Sequence, residues 1–417
     1  MISYKQSIEI LRKSKISIKD EIIKTNNCLN RVVAHTIKSN TNNPSGNNAA
    51  FDGFVIRSSE TRNLSKKNNR LFKILGTIAA GDKPKNKKIK KFQSYEIMTG
   101  GLIPKGFDTI IPIEQIVFYP DKKNPKYILV DKKINKHQHV RFKGSDFKKN
   151  DLIIKKGTIL QSNHILAFKT LGIRNIKVKK IPKILFFSTG NEITNKFNIP
   201  NWKVRNSNSH YIESLKGNFQ FYFKNGGILR DNDELNFEKK IKKMINSNID
   251  IIITSGAVSA GKFDYIPRVV KKFRLSNYFK GVAIRPGKPF LFAKIKGKQK
   301  VLFGIPGNPI SSAACFRFFV YPYLRDLLGI EYEKPIKAVL KNNFIKKINF
   351  TRFVKSKINT TKDGNVEVSI LKGQESFRIQ SFIKSNMWTF LPSGKSKFKK
   401  GEIVDCFFPH HSNKILN

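Results

Sequence analysis

The sequence predicts a multidomain protein of α/β plus β class, and three observations carry that reading. Its 417 residues are too many for one ordinary core. Between Lys183 and Leu324, three hydrophobic runs end in glycine turns: KILFFSTGNEI from Lys183, DIIITSGAVSAGKFD from Asp250 and VLFGIPGNPISSAACF from Val301. Apolar runs ending in small, turn-forming and acidic residues are how an open, mostly parallel sheet presents a ligand site at its strand ends. On either side of this segment the pattern changes to short strand-like runs separated by turns.

Residues 1–45 together with 141–180 are expected to form an N-terminal mixed domain. Tyr4, Ile8, Leu11 and Ile16 give an approximate helical stripe, and SNHILAFKTLGI reads as a helix capped by Ser162 or Asn163 and stopped at Gly172. Residues 46–140 form a separate β domain, carried by runs such as FDGFVIRS, DTIIPIEQIVFY and KYILVDKK. Residues 181–329 are the central α/β domain, with helices on both faces of a mostly parallel sheet. Its helices are SHYIESLKGNFQFYFKN, ending at Gly226–Gly227, then ELNFEKKIKKMINS, then PISSAACFRFFVYPYLRDLLG with Pro309 in its first turn and Gly329 at its end. From 330 to 412, NVEVSI, MWTFLPSG and EIVDCFF suggest a small C-terminal β domain.

Composition excludes several classes. Hydrophobic content of 39% with 34 Phe supports packed cores rather than disorder. No apolar run reaches the length of a membrane span, and the N-terminal stretch mixes charges into its apolar pattern, so a cytoplasmic protein without a signal peptide is expected. Cys28, Cys315 and Cys406 form no CxxC pair and read as reduced, buried thiols. His137, His139, His410 and His411 lack the helical spacing of a metal pair and read as surface residues. A formal charge of +51 suggests nucleic acid at first sight. The lysines, however, are spread along the whole chain among Asn and Ile, and runs such as Lys85 to Lys91 read as solvated loops. No nucleic-acid-binding signature accompanies them, so no specific nucleic-acid partner is expected.

The turns resemble the molybdopterin molybdenumtransferase family. NAAFDGFVIR is similar to its S-x-M-D-G-Y-A stretch, GTIAAGDKP and EIMTGGLIPKGFDTIIPIE to the next two blocks, and RFKGSDFKKNDLIIKKGTIL to its R-x-x-G-x-D block. STGNEI, SGAVSAGKFD, RPGKPFLFAKI and GIPGNPISS complete a set in family order. The resemblance implies four parts with an elongated N-terminal domain, and a homodimer whose active site lies between the α/β domain of one subunit and the β domain of the other. It implies that molybdenum from molybdate is inserted into adenylylated molybdopterin, releasing AMP and giving molybdenum cofactor, with Mg²⁺ assisting and a molybdopterin adenylyltransferase as a possible partner. The runner-up functions are adenylylation of molybdopterin itself, or a non-catalytic basic protein that binds nucleic acid.

Both substrates are anionic, so the site needs positive charge and backbone N–H donors for oxyanions, and carboxylates for Mg²⁺ or water. It needs no cysteine, because the pterin's dithiolene holds the metal. On the resemblance, Asp52, Glu192 and Asp264 are expected to bind metal or orient water, with Thr99 reaching the site from the β domain. Arg285 and Lys288, flanking Pro286–Gly287, are candidates to hold molybdate or phosphate. Ser255, Gly256, Ser259 and Gly261 offer small residues and backbone donors. Pro306, Gly307, Asn308 and Pro309 turn into a helix N-terminus, an anion site or a simple connector. Asp146 and Asp231 sit beside turns, Asp231 equally readable as a helix entry, and Ser376 in GQESFR resembles a serine of the family's C-terminal domain.

The chain departs from the pattern at named positions. Asn191 replaces an aspartate, Ala257 a glycine and Arg285 a lysine; the SAGK stretch holds Ala260 and Lys262; Phe51 and Phe54 stand for Met and Tyr.

Overall fold

The computed structural model describes residues 1–83, 88–259, 261 and 264–409; Lys85, Lys87, Ala260, Lys262, His410 and His411 lie outside the described residues. The chain divides into two compact units. One comprises Met1–His35, Lys156–Gln161 and Lys177–Asn417, the other Thr36–Lys155 and Ser162–Ile176.

The larger unit is organised on a six-stranded sheet in the order Tyr222–Leu229, Lys183–Thr189, Ile251–Ser255, Val301–Ile305, Leu291–Ile295, Leu275–Lys280. The first four strands are parallel, and Leu291–Ile295 runs antiparallel to both of its neighbours, Val301–Ile305 and Leu275–Lys280. The fully buried run Ile251–Ser255 is what a central parallel strand, covered on both faces, requires. From the strand Lys183–Thr189 the chain leaves to the neighbour on one side, then crosses to Ile251–Ser255 on the other. The strand order therefore reverses at Lys183–Thr189, which opens a crevice at the carboxyl ends of these strands.

Helices Glu234–Ile245 and Ile266–Lys271 pack a core of Phe187, Phe237, Ile252 and Leu302 on one face. On the other face, Phe186, Ile253, Phe303 and the long C-terminal helix share a core with Leu11 of the helix Tyr4–Lys13. That long helix runs from Pro309 to Leu328 and contains a π-helical turn at Phe316–Val320. Gly329 ends it in the left-handed conformation.

One expected helix is corrected. The stretch from Ser209 to Asn225 is helical only to Phe219, in two pieces, Ser207–Ser214 and Lys216–Phe219. Gln220 adopts a left-handed conformation, and Tyr222–Leu229 becomes the edge strand beside Lys183–Thr189. Phe221 and Phe223 are buried against the sheet core, so tertiary packing overrides the helical pattern.

The C-terminal strands curl into a small barrel in the same unit. Thr351–Thr360, Val366–Ile370, Ile336–Leu340, Ile403–Phe407 and Met387–Leu391 are paired in sequence, and the last also pairs with the first. The barrel is tied to the α/β layers in two ways. The two-residue strand Ile284–Arg285 pairs in parallel with Thr351–Arg352, and Phe353 stacks on Phe318 with ring centroids 3.9 Å apart.

The smaller unit is a mixed six-stranded sheet in the order Thr109–Pro112, Gly53–Ile56, Gln93–Ile97, Arg70–Ile78, Tyr127–Val130, Val117–Tyr119. Two aliphatic-aromatic cores cover it, one around Val55, Tyr95 and Ile97, the other around Phe54, Phe72 and Ile128. The helix Ser162–Thr170 also lies in this unit, and Gly172 beyond it has the expected positive φ of 69°. Among the described residues, no helix is long and apolar enough to cross a membrane.

Candidate active site

A cleft of about 530 Å³ opens at the strand ends where the sheet order reverses, lined by Thr189, Gly190, Glu192, Asp231, Ser255, Gly256, Ser259, Asp264 and the turn Pro306–Pro309. Each strand end contributes for a local reason. The Thr189 hydroxyl donates to the Ser255 carbonyl at 2.9 Å, locking the first two turns together. Gly256 has φ 101°, and a Cβ there would sit 2.5 Å from Thr189 Oγ1, so only glycine lets the turns approach this closely. The next residue, Ala257, is held at φ 54°, a conformation costly for a residue with a Cβ.

The three carboxylates of the cleft are held differently. Glu192 follows a turn gripped from behind by Arg230, whose Nη1 donates to the carbonyls of Gly190, Asn191 and Ile193 at 3.1, 3.2 and 2.9 Å. Asp264 accepts the Gly261 N–H at 2.7 Å through Oδ2, closing its own turn. Asp231 is not the helix cap; Asp233 occupies that position. The Asp231 N–H instead donates to Asn191 Oδ1 at 3.2 Å, so this asparagine fastens two edges of the cleft. Ser259 is fixed through its carbonyl, which accepts from Lys280 Nζ at 2.6 Å.

Sequence reading missed two asparagines here. Asn206 accepts the Ser188 hydroxyl at 2.6 Å, and Asn208 donates to Ser255 Oγ at 2.8 Å and to the Gly307 carbonyl at 2.7 Å. Their only sequence signal is their place in RNSNSH at a helix entry.

A second cavity, of about 940 Å³, lies beside the first in the same unit, where the Arg285–Lys288 loop meets the barrel. Pro306 and Asn308 line both cavities. Gly287 shapes the loop: its φ is 107°, and a Cβ would stand 2.6 Å from Cys315 Sγ. Arg285 and Lys288 project from either side of it into the cavity, joined by Lys346, Lys347 and Arg352, none of which sequence reading singled out. Burial and then the neighbouring Arg285 charge hold Arg352 down to about 10, and its Nε has no hydrogen-bond partner. Burial, with Arg352 adding to it, also lowers Lys346. The single carboxylate at the wall, Glu375, pairs with Arg378 at 3.2 Å. Five cations around one carboxylate leave this cavity strongly positive.

Ser376 lines this cavity. Its hydroxyl oxygen accepts from Asn308 Nδ2 at 3.0 Å, and its carbonyl accepts the Ile310 N–H at 3.1 Å. The hydroxyl proton is thereby left to donate elsewhere.

Three candidates lie in the other unit. The exposed Asp52 accepts from both the N–H and the hydroxyl of Thr99, at 2.6 and 2.7 Å. These two bonds, the backbone one first, hold its carboxyl below the usual aspartate range. Asp146 accepts from Asn43 Nδ2 at 2.7 Å and braces a loop.

Among the described residues, no group of three or more His, Cys, Asp or Glu side chains is arranged to hold a metal ion. Of the expected Asp52, Glu192 and Asp264 set, Glu192 and Asp264 share the cleft and Asp52 belongs to the other unit. Oxygen donors of this kind nevertheless fit Mg²⁺, which is commonly bound by one or two carboxylates plus substrate phosphate and water. The buried thiols are poor ligands, with burial raising Cys315 strongly and Cys406 to about 11.

Comparison with known proteins places these features in a family. Residues 2–172 match the MoeA N-terminal region (domain I and II), residues 185–326 a probable molybdopterin binding domain, and residues 337–407 the MoeA C-terminal region (domain IV). The molybdopterin molybdenumtransferase of Staphylococcus epidermidis strain ATCC 35984 is 31% identical over 97% of this chain and 94% of its own length. That of Staphylococcus aureus strain COL is 30% identical over the same shares. A crystal structure of a molybdopterin biosynthesis moea protein from Pyrococcus horikosii superimposes with a TM-score of 0.83 at 26% identity, over 98% of this chain and 99% of that one. With two cavities built from the turns of the α/β layers and the barrel, and with relatives matched along nearly its whole length, the chain belongs to the molybdopterin molybdenumtransferase family.

Proposed function

We propose that this chain is a transferase that inserts molybdenum from molybdate into adenylylated molybdopterin, releasing AMP and yielding molybdenum cofactor. The observation that carries this reading is the adjacency of an acidic-walled strand-end cleft and a basic cavity, joined through Pro306 and Asn308. Such a pair suits one substrate whose phosphate ester must be cleaved and a second that is a free oxyanion.

In this reading the strand-end cleft takes the adenylylated pterin, its phosphate held by backbone N–H groups of the turns and the helix entry at Pro309. Glu192 and Asp264 orient the water that attacks the adenylyl phosphorus; its bond to the bridging oxygen breaks, the water oxygen stays on the AMP that forms, and the pterin phosphate is the leaving group. Mg²⁺, when bound, would be held by these carboxylates and would neutralise phosphate charge. The basic cavity takes molybdate, held by Arg285, Lys288 and Arg352 and by a hydrogen bond from Ser376. The dithiolene supplies the sulfur ligands, so the buried cysteines have no part.

Asp52 and Thr99 would come from a second copy in a homodimer, and the adenylylated substrate from a molybdopterin adenylyltransferase. The chain is read as acting in the cytoplasm. The deciding assay combines purified protein, adenylylated molybdopterin, molybdate and Mg²⁺. AMP release together with reconstitution of a molybdoenzyme is expected; neither appearing would sink the proposal.

A further inference from the structure

Lys355 is fully buried, yet it lines neither cavity. It sits on the barrel strand Thr351–Thr360, three residues beyond Arg352. A buried ammonium is costly unless its donors are satisfied. Here all three donors are used on one loop: Nζ donates to the carbonyls of Gly373, Glu375 and Arg378 at 2.7, 3.2 and 3.1 Å. These acceptors bracket Ser376. Gln374 reinforces the same attachment, accepting the Lys355 N–H at 2.9 Å and donating to its carbonyl at 2.8 Å.

On its other side the loop is fastened to the α/β layers by the bonds from Asn308 and Ile310 to Ser376. Arg352 and Arg378 nearby add positive charge and Glu375 negative charge. No carboxylate oxygen accepts from Lys355 Nζ among the described residues; what it holds is backbone.

We infer that Lys355 is a positioning residue, whose ammonium fixes the 373–378 loop so that Ser376 is presented to an oxyanion in the basic cavity. The inference rests on the proposed reading of that cavity as the molybdate site. Two features favour this geometry over simple core filling. A methionine or leucine would fill the same space without the cost of burying charge. And three bonds converging on one loop fix its backbone more tightly than a single bond would.

The test uses the full chain with Lys355→Met and Lys355→Arg, and molybdate as the titrant in calorimetry. Lys355→Met is expected to weaken molybdate binding at least tenfold while leaving AMP affinity at the strand-end cleft within twofold. Lys355→Arg, which keeps a multiple donor, should recover part of the loss. Ser376→Ala added to Lys355→Met should cost little more than Lys355→Met alone, because one effect acts through the other. Molybdate affinity unchanged in Lys355→Met, or AMP and molybdate affinities falling together, would overturn the assignment.

Amide exchange of residues 373–381 gives an arm independent of molybdate. It should accelerate at least tenfold in Lys355→Met and partly in Lys355→Arg at the same pH; unchanged protection would overturn the positioning role. If Lys355→Met does not fold, Lys355→Gln carries both measurements: its uncharged, shorter amide has only two N–H donors for the three carbonyls, so wild-type loop protection together with wild-type affinity would overturn the assignment. If wild-type protein fails to bind molybdate, the reading of the cavity falls, and exchange alone decides whether Lys355 fixes the loop.

Discussion

Arg285 and Arg352 are register partners across a parallel strand pair, two cations set side by side where the α/β layers meet the barrel. Like charges placed directly opposite destabilise a sheet, and burial adds to the cost at Arg352. An anion bound between them, as in the proposed molybdate site, would relieve that cost. Replacing Arg352 with Met should raise oxyanion-free stability by about 1 kcal/mol and abolish the rise in Tm on adding molybdate. Scanning fluorimetry with and without molybdate checks both; a lower Tm with the molybdate effect intact would show that Arg352 is structural.

Asp264 and Glu192 are separable from folding. Asparagine at 264 can still accept the Gly261 N–H through its amide oxygen, so the turn survives while the charge is lost. Asp264→Asn and Glu192→Gln should each keep the wild-type Tm within a degree or two and lower AMP release by roughly 10²-fold or more. Unchanged turnover in either variant removes that residue from the site.

Arg230 touches no substrate position in this reading, yet it holds the turn that carries Glu192. Arg230→Lys keeps the charge, but its shorter side chain does not carry an N–H to where Nη1 meets the three carbonyls. It should cost about 1–3 kcal/mol of stability, the range for a broken hydrogen-bonded anchor. Its effect on turnover should largely vanish in the Glu192→Gln background, whereas simple additivity would separate the two residues.

The Asp52 carboxyl is depressed by two bonds from Thr99, backbone first and hydroxyl second. A carboxyl depressed in the folded state contributes stability above its unfolded value and loses it as pH falls through the folded value. Thr99→Val removes only the hydroxyl bond, so a carbon-13 titration should place Asp52 higher than in wild type but still below an ordinary aspartate. A fully ordinary value would show that the backbone bond also depends on the hydroxyl.

Much of the site was legible because its parts are local. A glycine turn after an apolar run announces itself in sequence, and the first, second and third turns do line one cleft. Arg352 was not legible, because FTRFVKSK carries no turn and no spacing; only the pairing of its strand with Ile284–Arg285 brings it to the cavity. Asn208 and Lys355 were missed for the same reason, their partners lying 99 and about 20 positions away. The helix expected over Ser209 to Asn225 failed because Phe221 and Phe223 fit a strand face as well as a helix face, and the vacant sheet edge decided between them.

By itself the sequence determined the class of each layer, the order of the turns and the family resemblance, since these depend on residue type and short spacing. Only the tertiary structure decided that Arg285 and Lys288 share their cavity with three further cations, and that Asn191 and Arg230 brace the acidic turns from behind. It also decided that a buried lysine grips the loop carrying Ser376. Those facts arise from strand register and from buried donors seeking carbonyls, which pair residues by space and not by distance along the chain.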